Sequence, residues 1–259
     1  MKNTYIIVIV LIILIVAAIA LNKSMGGKNP QTANKNLPVQ VTPIMHATAM
    51  LNWGGTIIYT DPTDAKLLAG QPKPNIILVT DIHSDHFSTT TLSALMSGST
   101  SSPTLIVPQA VKDLLTPALA AQAKVLKNGE TMTEQGFAIT GVPMYNLPES
   151  PTSPHTKGRG NGYLIERGGF RVYVAGDTAG TPEMRALRNI DIAFIPMNLP
   201  YTMSVDEAAD AVLAFKPKHV YPYHYRGQDG LSDVGRFKEL VNAGDPNIDV
   251  ILMNWYPKQ

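Results

Sequence analysis

Short apolar runs alternate with amphipathic stretches along most of the chain, and this pattern predicts strands that alternate with helices. Runs rich in β-branched and aromatic residues, bounded by polar or turn residues, indicate buried strands. Six such strands are predicted at Ile76–Thr80, Thr104–Val107, Ala138–Val142, Ile192–Pro196, His219–Tyr223 and Val250–Met253. Gly54-Gly55 and Gly168-Gly169 each lie between apolar runs, as is typical of two-residue hairpin turns. The paired segments are residues 44–53 with 56–60 and residues 162–167 with 170–175.

Helical patterns lie between several of these strands. Thr181-Pro182-Glu183 begins one helix, with threonine as the cap and proline at the first helical position. Ser204-Val205-Asp206-Glu207 begins another as a capping box. We also expect helices over residues 88–97, 109–121 and 231–242. Early hairpins followed by alternating strands and helices predict one α/β domain whose sheets are covered by helices, although periodicity does not give the strand order.

The N-terminal segment differs from the rest of the chain. Residues 5–21 are seventeen apolar residues in a row, a length between that of a signal-peptide core and that of a spanning helix. We therefore predict a signal peptide or membrane anchor over residues 1–21. Residues 22–38 are polar, with Gly, Pro and Lys, and are predicted to be a flexible tether. Residues 39–259 would form the folded domain, outside the cytoplasm, either membrane-anchored or secreted.

Composition narrows the range of functions. The chain has 259 residues, of which 16% are charged, and it contains no cysteine. Disulfides, thiol catalysis and cysteine-ligated metals are thereby excluded, so any metal must be held by histidines and carboxylates. After residue 40 there are 17 basic and 20 acidic residues. This balance argues against a nucleic-acid partner, which needs a basic face.

Ligand-type side chains are concentrated directly after one predicted strand. Asp81, His83, Asp85 and His86 lie within six residues of each other. Asp81 and His83 are two residues apart and would point to the same side of an extended chain. Asp85 and His86 follow in the turn, so this one segment could serve two neighbouring cations. The alternative is a solvated loop in which the acids pair with the histidines.

Later strands are followed by residues of the same type. Asp177 follows the strand RVYVA, His224 follows HVYPY, and His155 lies in the loop SPTSPHTKGRGNG. Each of these is a weak signal alone. Together they place candidate ligands where open α/β sheets have their sites, beyond the carboxyl ends of strands.

This ordered set of motifs resembles the metallo-β-lactamase-fold hydrolases, in particular a subgroup similar to the ascorbate-phosphate lactonases. The family motif is His-x-His-x-Asp-His, which here reads Asp81-Ile82-His83-Ser84-Asp85-His86. The resemblance runs from about Thr42 to the C-terminus, and the segment from His46 to Asp61 resembles the opening hairpin of the subgroup. It implies a four-layer αβ/βα sandwich with a two-metal site at one edge.

Carried over residue by residue, the resemblance implies two ligand sets joined by one bridging carboxylate. One ion would bind Asp81, His83 and His155, and the other would bind Asp85, His86 and His224, with Asp177 between them. Two divalent ions are implied, and zinc is expected. Asp81 replaces the usual histidine, and a carboxylate also suits Mn²⁺ or Fe²⁺.

The resemblance assigns further roles around the metals. Asp85 would orient the metal-bound hydroxide and move its proton, and Asp61 would orient a ligand histidine from behind. His46, where the hairpin of the resemblance ends, is a candidate substrate contact, and so are Asn198 and Tyr201 from their position in the loop after a predicted strand. Their alternatives are a packed core histidine for His46 and solvent-facing loop residues for the other two, and Asp61 could form a simple Asp-Pro turn. Lys157 and Arg159 could receive an anionic group, but a solvated basic loop is the favoured interpretation.

The predicted function is that of a metal-dependent hydrolase acting on a small molecule. The bond would be an ester, a lactone or a phosphodiester, which rank above a β-lactam because the resemblance is to the lactonase-like members. The alternative is a non-catalytic metal-binding module of the envelope. The oligomeric state is not indicated by the sequence.

Overall fold

The computed structural model describes residues 37–97 and 102–256. The predicted signal peptide or anchor, and the predicted tether up to residue 36, lie outside these residues. Within the described part of the chain, no helix combines the length and apolar character needed to cross a membrane. The first strand begins at Val39.

Six strands form the first sheet, in the order β1-β2-β3-β4-β5-β6. Their bounds are β1 Val39–Met45, β2 Thr48–Trp53, β3 Thr56–Thr60, β4 Ile76–Leu78, β5 Thr104–Val107 and β6 Ala123–Val125. The first three strands pair antiparallel, and β3 to β6 pair parallel. The predicted hairpin is present, with Gly54 and Gly55 at φ 58° and 88°, in the left-handed region that glycine tolerates.

Seven strands form the second sheet, in the order β15-β12-β11-β10-β9-β8-β7. Their bounds are β7 Thr131–Glu134, β8 Phe137–Met144, β9 Gly160–Arg167, β10 Phe170–Val174, β11 Ile192–Pro196, β12 His219–Tyr223 and β15 Asp249–Val250. β7 to β10 pair antiparallel, and β10, β11, β12 and β15 pair parallel. A small ribbon, β13 Arg226–Gly227 with β14 Gly230–Leu231, lies beyond β12.

The described helices connect strands of these two sheets. They are α1 Thr89–Met96, α2 Gln109–Lys112, α3 Pro117–Ala120, α4 Pro182–Arg185, α5 Val205–Phe215 and α6 Val234–Gly244. The capping box predicted at Ser204 is present at the start of α5, since its hydroxyl accepts from the Glu207 amide and the Glu207 carboxylate accepts from the Ser204 amide.

The alternation of side chains along β4 shows how the layers pack. Ile76 and Leu78 face the large core shared by the two sheets, whereas Ile77 between them packs with Leu92 of α1 on the outer face. Buried residues of α5 and α6, including Val212 and Phe237, cover the second sheet. The architecture is therefore a four-layer αβ/βα sandwich, which confirms the predicted fold class.

Several predicted boundaries were wrong for local reasons. The single helix expected over residues 109–121 is two short helices, because Thr116 caps a new start and Pro117 cannot donate within a continuous helix. The run 44–53 breaks at His46, whose φ of 56° turns the chain between β1 and β2. Strands β6 and β7 were not predicted, since β7 is polar and only partly buried.

Candidate metal centre

The segment after β4 folds so that its polar side chains meet the second sheet. Both the His86 and Phe87 amides donate to the His83 carbonyl, at 2.9 Å each, which closes a tight turn after the strand. The turn directs Asp81, His83, Asp85 and His86 toward the carboxyl ends of β10 and β12, where Asp177 and His224 lie.

The first group of ligand-type atoms, which we call site 1, comprises Asp81, His83 and His155. His83 Nδ1 lies 3.1 Å from Asp81 Oδ2 and 3.2 Å from His155 Nε2. Asp81 and His155 are buried, whereas the His83 side chain is 39% exposed.

The second group, site 2, comprises Asp85, His86, Asp177 and His224. His86 Nε2 and His224 Nε2 are 3.0 Å apart. Asp85 Oδ2 and Asp177 Oδ1 each lie 3.3 Å from His224 Nε2. Asp177 Oδ2 lies 3.3 Å from His86 Nε2 and 3.2 Å from His155 Nε2, so this carboxylate touches both sites.

The structure thus groups the seven candidate ligands into the two sets assigned from the sequence, with Asp177 between them. Their role as ligands stays a prediction, and the donor chemistry fits it. Imidazole nitrogens and carboxylate oxygens bind Zn²⁺, Mn²⁺ and Fe²⁺, and ligands at about 2.0–2.2 Å from one tetrahedral ion lie roughly 3.3–3.6 Å apart. Asp177 Oδ1 is buried without a hydrogen-bond partner among the described residues, as expected of an oxygen that serves as a metal ligand.

The carboxylates and histidines of site 2 shift each other's pKa values. Burial opposes ionisation of Asp177, but His224 and His86 hold the pKa of its carboxyl well below the usual range. Burial also lowers the pKa of His86, yet Asp177 and Asp61 on either side raise it well above its ordinary value. The raised pKa favours a second proton on the His86 ring in the metal-free protein, and a cation binding at Nε2 would displace that proton.

Asp61 lies behind His86, where the resemblance placed it. Its Oδ2 accepts from His86 Nδ1 at 2.8 Å, and its two oxygens accept from the Thr80 amide and hydroxyl at 2.7 Å each. A proton held on Nδ1 leaves Nε2 of His86 free to bind a cation. The alternative of a simple Asp-Pro turn does not describe this fully buried carboxylate.

His155 is oriented by a residue that the sequence did not single out. Asn146 Oδ1 lies 3.1 Å from His155 Nδ1 and accepts from the His155 amide at 2.9 Å. The Tyr201 carbonyl also lies 3.1 Å from His155 Nδ1. These acceptors place the proton on Nδ1 and direct Nε2 toward site 1. Asn146 was missed because an asparagine in a Pro-rich loop carries no distinctive pattern.

His46 supports Asp85 and does not line the cleft described below. Its Nε2 lies 3.2 Å from Asp85 Oδ2, and its ring stands 3.8 Å from that of His224. The hydroxyl of Tyr256, which accepts from the Arg226 amide at 3.0 Å, lies 2.6 Å from His46 Nδ1. If that hydroxyl donates to Nδ1, Nε2 carries the hydrogen and donates to Asp85. Nothing in the sequence distinguished Tyr256 from other aromatic core residues.

Arg159 contacts Asp81 through both carboxylate oxygens. Its Nε donates to Oδ1 at 3.0 Å and its Nη2 donates to Oδ2 at 2.7 Å. The favoured interpretation of Arg159 as part of a solvated basic loop was therefore wrong, because the side chain is 20% exposed and paired with a buried acid. Lys157 remains at the surface, where it pairs with Glu183 at 3.0 Å and with Glu149 at 3.4 Å.

A cleft of about 490 Å³ opens above the two sites. It is lined by His83, Ser84, Asp85, Pro154, His155, Asp177, Asn198 and Tyr201. Asn198 is buried, and its Oδ1 accepts from the Thr202 hydroxyl, whereas Tyr201 is 42% exposed at the rim. Both candidate substrate contacts in the loop after β11 therefore face the cleft, unlike His46.

Two sheets between outer helices, with a histidine and carboxylate centre at the strand ends, define a metallo-hydrolase type of fold and site. Residues 40–224 match the family model described as the beta-lactamase superfamily domain. The chain therefore belongs to that superfamily and is a metal-dependent hydrolase of the metallo-β-lactamase fold.

Similar proteins support this assignment. The UPF0173 metal-dependent hydrolase of Thermus thermophilus is 30% identical over 213 residues, covering 78% of this chain and 92% of that protein. The crystal structure of a Parabacteroides distasonis protein assigned as a metal-dependent hydrolase is 35% identical, with a TM-score of 0.72, and covers 87% of this chain and 97% of that one.

A more distant structure shows the fold alone. Igni18, a metallo hydrolase of Ignicoccus hospitalis, is 23% identical with a TM-score of 0.70, covering 83% of this chain and 95% of that one. The lactonase-like subgroup stays a prediction.

Proposed function

We propose that this protein hydrolyses an ester, lactone or phosphodiester bond of a small molecule in the cleft above sites 1 and 2, using two divalent cations, with zinc as the expected metal. The observation that carries the proposal is the arrangement of seven ligand-type side chains in two sets that share Asp177 at the base of an open cleft. A metal site with only a structural role would have all of its coordination positions filled by protein ligands.

Divalent cations in such a site lower the pKa of a water to near neutrality and polarise the oxygen of the bond under attack. The residues of the chain supply the remaining requirements. Asp85 lies at the cleft with its side chain 40% exposed, so it can meet both solvent and substrate. Partial burial opposes its ionisation, but hydrogen bonds from His224 and His46 hold the pKa of Asp85 well below its usual range.

An ionised Asp85 is suited to accept a hydrogen bond from the attacking water and so to orient it. The hydrogen bond at 3.2 Å from His46 Nε2 restricts the carboxylate to one orientation over site 2. Preorganisation of this kind lowers the barrier, because the group need not reorient during the reaction.

The surroundings of the cleft support a small-molecule substrate. Asn198 and Tyr201 form part of its wall. A second cleft of about 390 Å³ shares Pro154 with the first, and its lining mixes apolar residues such as Leu147 and Met203 with polar ones that include Arg185 and Glu207. A substrate whose reactive bond lies over the two sites could extend its remaining portion into this second cleft.

The bond type is tested by a substrate panel. Purified protein, loaded with Zn²⁺, Mn²⁺ or Fe²⁺, is assayed on lactones, aryl esters, bis-aryl phosphodiesters and a chromogenic β-lactam, with Asp85→Asn as the inactive control. We expect chelator-sensitive turnover of a lactone, ester or phosphodiester that exceeds β-lactam turnover. A protein that binds metal stably but turns over none of these substrates would favour the non-catalytic metal-binding module.

We also propose that residues 1–21 direct the domain out of the cytoplasm, as an anchor or as a cleaved signal. The support is the run of seventeen apolar residues at 5–21. Cell fractionation of the full chain, with a variant lacking residues 1–21 as the control, tests this. We expect the full chain in the membrane or the exported fraction and the truncated variant in the cytoplasm. Full-length protein found in the cytoplasm would contradict it.

A further inference from the structure

The guanidinium of Arg159 lies beside site 1 and contacts one of its candidate ligands. Asp81 is the carboxylate that belongs to site 1 alone, and it is completely buried. Arg159 Nη2 donates to Asp81 Oδ2 at 2.7 Å and Nε donates to Oδ1 at 3.0 Å, so both oxygens are engaged. The same Nη2 lies 3.4 Å from His83 Nε2.

The oxygen held most closely by Arg159 is also the one that faces the site. Asp81 Oδ2 lies 3.1 Å from His83 Nδ1 and 3.7 Å from His155 Nε2. A cation at site 1 must therefore share this oxygen with the guanidinium. Arginine does not lose its charge in proteins, so the competition does not disappear at any ordinary pH.

The charges at the two sites are accordingly unequal. At site 1, the negative charge of Asp81 is cancelled by Arg159. Asp177 contributes a negative charge that both sites share, whereas Asp85 adds one at site 2 alone, and none of the salt bridges in the described residues joins Asp85 or Asp177 to a lysine or an arginine. Because Arg159 is four-fifths buried, water screens its repulsion of a cation only partly.

The position of Arg159 is fixed by the fold. Its amide donates to the Thr156 carbonyl at 3.2 Å, and β9 begins at the next residue, Gly160. The guanidinium is therefore held at the start of a strand of the second sheet. Swinging it away from Asp81 would leave a buried carboxylate without its partner, which is costly.

We propose that Arg159 makes the two metal sites unequal, so that site 2 binds the first cation tightly and site 1 binds a second cation weakly. The proposal rests on the proposed metal-dependent function, and it deepens it by assigning the order of metal binding to a residue that is not a ligand.

Metal titration of the chelator-stripped full chain tests the proposal without any substrate. Zn²⁺ and Mn²⁺ are titrated separately by calorimetry with a competing chelator, and bound metal is counted by mass spectrometry after dialysis. We expect one tight equivalent and a second that is at least about 100-fold weaker. Arg159→Gln should tighten the second equivalent at least tenfold and leave the first nearly unchanged.

Two further variants separate charge from packing. Arg159→Lys keeps the positive charge and should keep the second equivalent weak. Arg236→Gln removes a surface arginine, paired with Asp206 at 2.8 Å, and should match the wild type. Circular dichroism establishes that each variant is folded.

The wild-type titration alone can overturn the proposal if Arg159→Gln fails to fold. Two tight equivalents of equal affinity in the wild type would refute the inequality and leave the proposed function intact. The same holds if a folded Arg159→Gln variant binds its second ion no more tightly than the wild type. A wild type that binds neither metal would instead refute the proposed function.

Discussion

Replacing Asp61 by asparagine tests how the protein prepares a ligand histidine. Asp61 accepts three hydrogen bonds, from the Thr80 amide and hydroxyl at 2.7 Å each and from His86 Nδ1 at 2.8 Å. The introduced asparagine keeps the size of the side chain but presents an amide donor in place of one acceptor oxygen. If this amide faces His86, Nδ1 must accept, and the imidazole proton moves to Nε2, the atom that faces site 2.

The expected loss follows from this tautomer change. Loss of an outer partner of a ligand histidine costs about 10- to 100-fold in metal affinity, which is about 1.4 to 2.8 kcal/mol. The Asp61→Asn variant should lie toward the upper end, since Nε2 would then carry the proton of the neutral ring and the ring would have to change tautomer before it could bind a cation. Loss of hydrogen bonds to a buried carboxylate should also lower the free energy of unfolding of the metal-free protein by about 1.5 to 3 kcal/mol.

The assay is a competition titration with a chromogenic chelator, together with urea unfolding of the metal-free protein. Asp191→Asn is the matched control, because Asp191 is also a buried acid, which accepts from the Arg171 amide at 2.8 Å and from Lys218 at 2.7 Å, and it is in neither ligand group. The control should lose stability and keep its metal affinity. A folded Asp61→Asn protein that binds its first metal as tightly as the wild type would refute the reasoning.

Three other predictions follow from the same contacts. Asp177→Ala should release at least one metal and abolish turnover, because it removes the oxygens that contact both sites; full metal content and full rate by mass spectrometry and assay would contradict the bridging role. Asn146→Leu should loosen His155 and weaken the second equivalent of metal by about 10- to 100-fold, while the first stays unchanged in the same titration. Metal affinity should rise with pH above 6.5, because the raised pKa of His86 keeps a proton where a cation must bind. Calorimetry in buffers of different ionisation enthalpy should detect the release of this proton. A metal affinity that does not depend on pH would contradict the prediction.

The contributions of Asp177 and His86 to stability depend on pH in opposite directions. The pKa of Asp177 is depressed by His224 and His86, so its contribution is present above the ordinary value of 3.8 and is lost as the pH falls through the lower folded value. For His86, whose pKa is raised, the contribution is present below 6.5 and is lost as the pH rises through the folded value.

Much of the fold followed from local patterns in the sequence, and the grouping of the candidate ligands followed from the family resemblance. Three strands have the predicted bounds, because short buried strands consist of uninterrupted runs of apolar residues. They are Thr104–Val107, Ile192–Pro196 and His219–Tyr223. Most of the candidate ligands follow buried strands, namely Asp81 to His86 after β4, Asp177 after β10 and His224 after β12, so they meet at one edge of the packed sheets. The strand order was not predicted, since periodicity does not encode it, and the four-layer arrangement came from the family resemblance.

The supporting contacts could not be predicted in the same way. Tyr256 and Arg159 reach the centre from distant parts of the chain, whereas Asn146 lies nine positions from His155 in a loop without a distinctive pattern. Arg159 and Asp81, for example, are separated by 78 positions. A pairing across such a distance depends on how β9 lies against the end of β4, and no local spacing records it. The substitution of Asp81 for the usual histidine was visible in the sequence, but its partner was not.

The most direct test of the account is the metal dependence of turnover at this cleft. Protein purified without added metal is analysed for bound ions, stripped with chelator, and reloaded with one metal at a time, and each sample is assayed on the same panel of esters, lactones and phosphodiesters beside Asp85→Asn. The account predicts bound divalent metal, turnover that disappears on stripping and returns on reloading, and no comparable turnover by the variant. Turnover that survives complete removal of metal would contradict it.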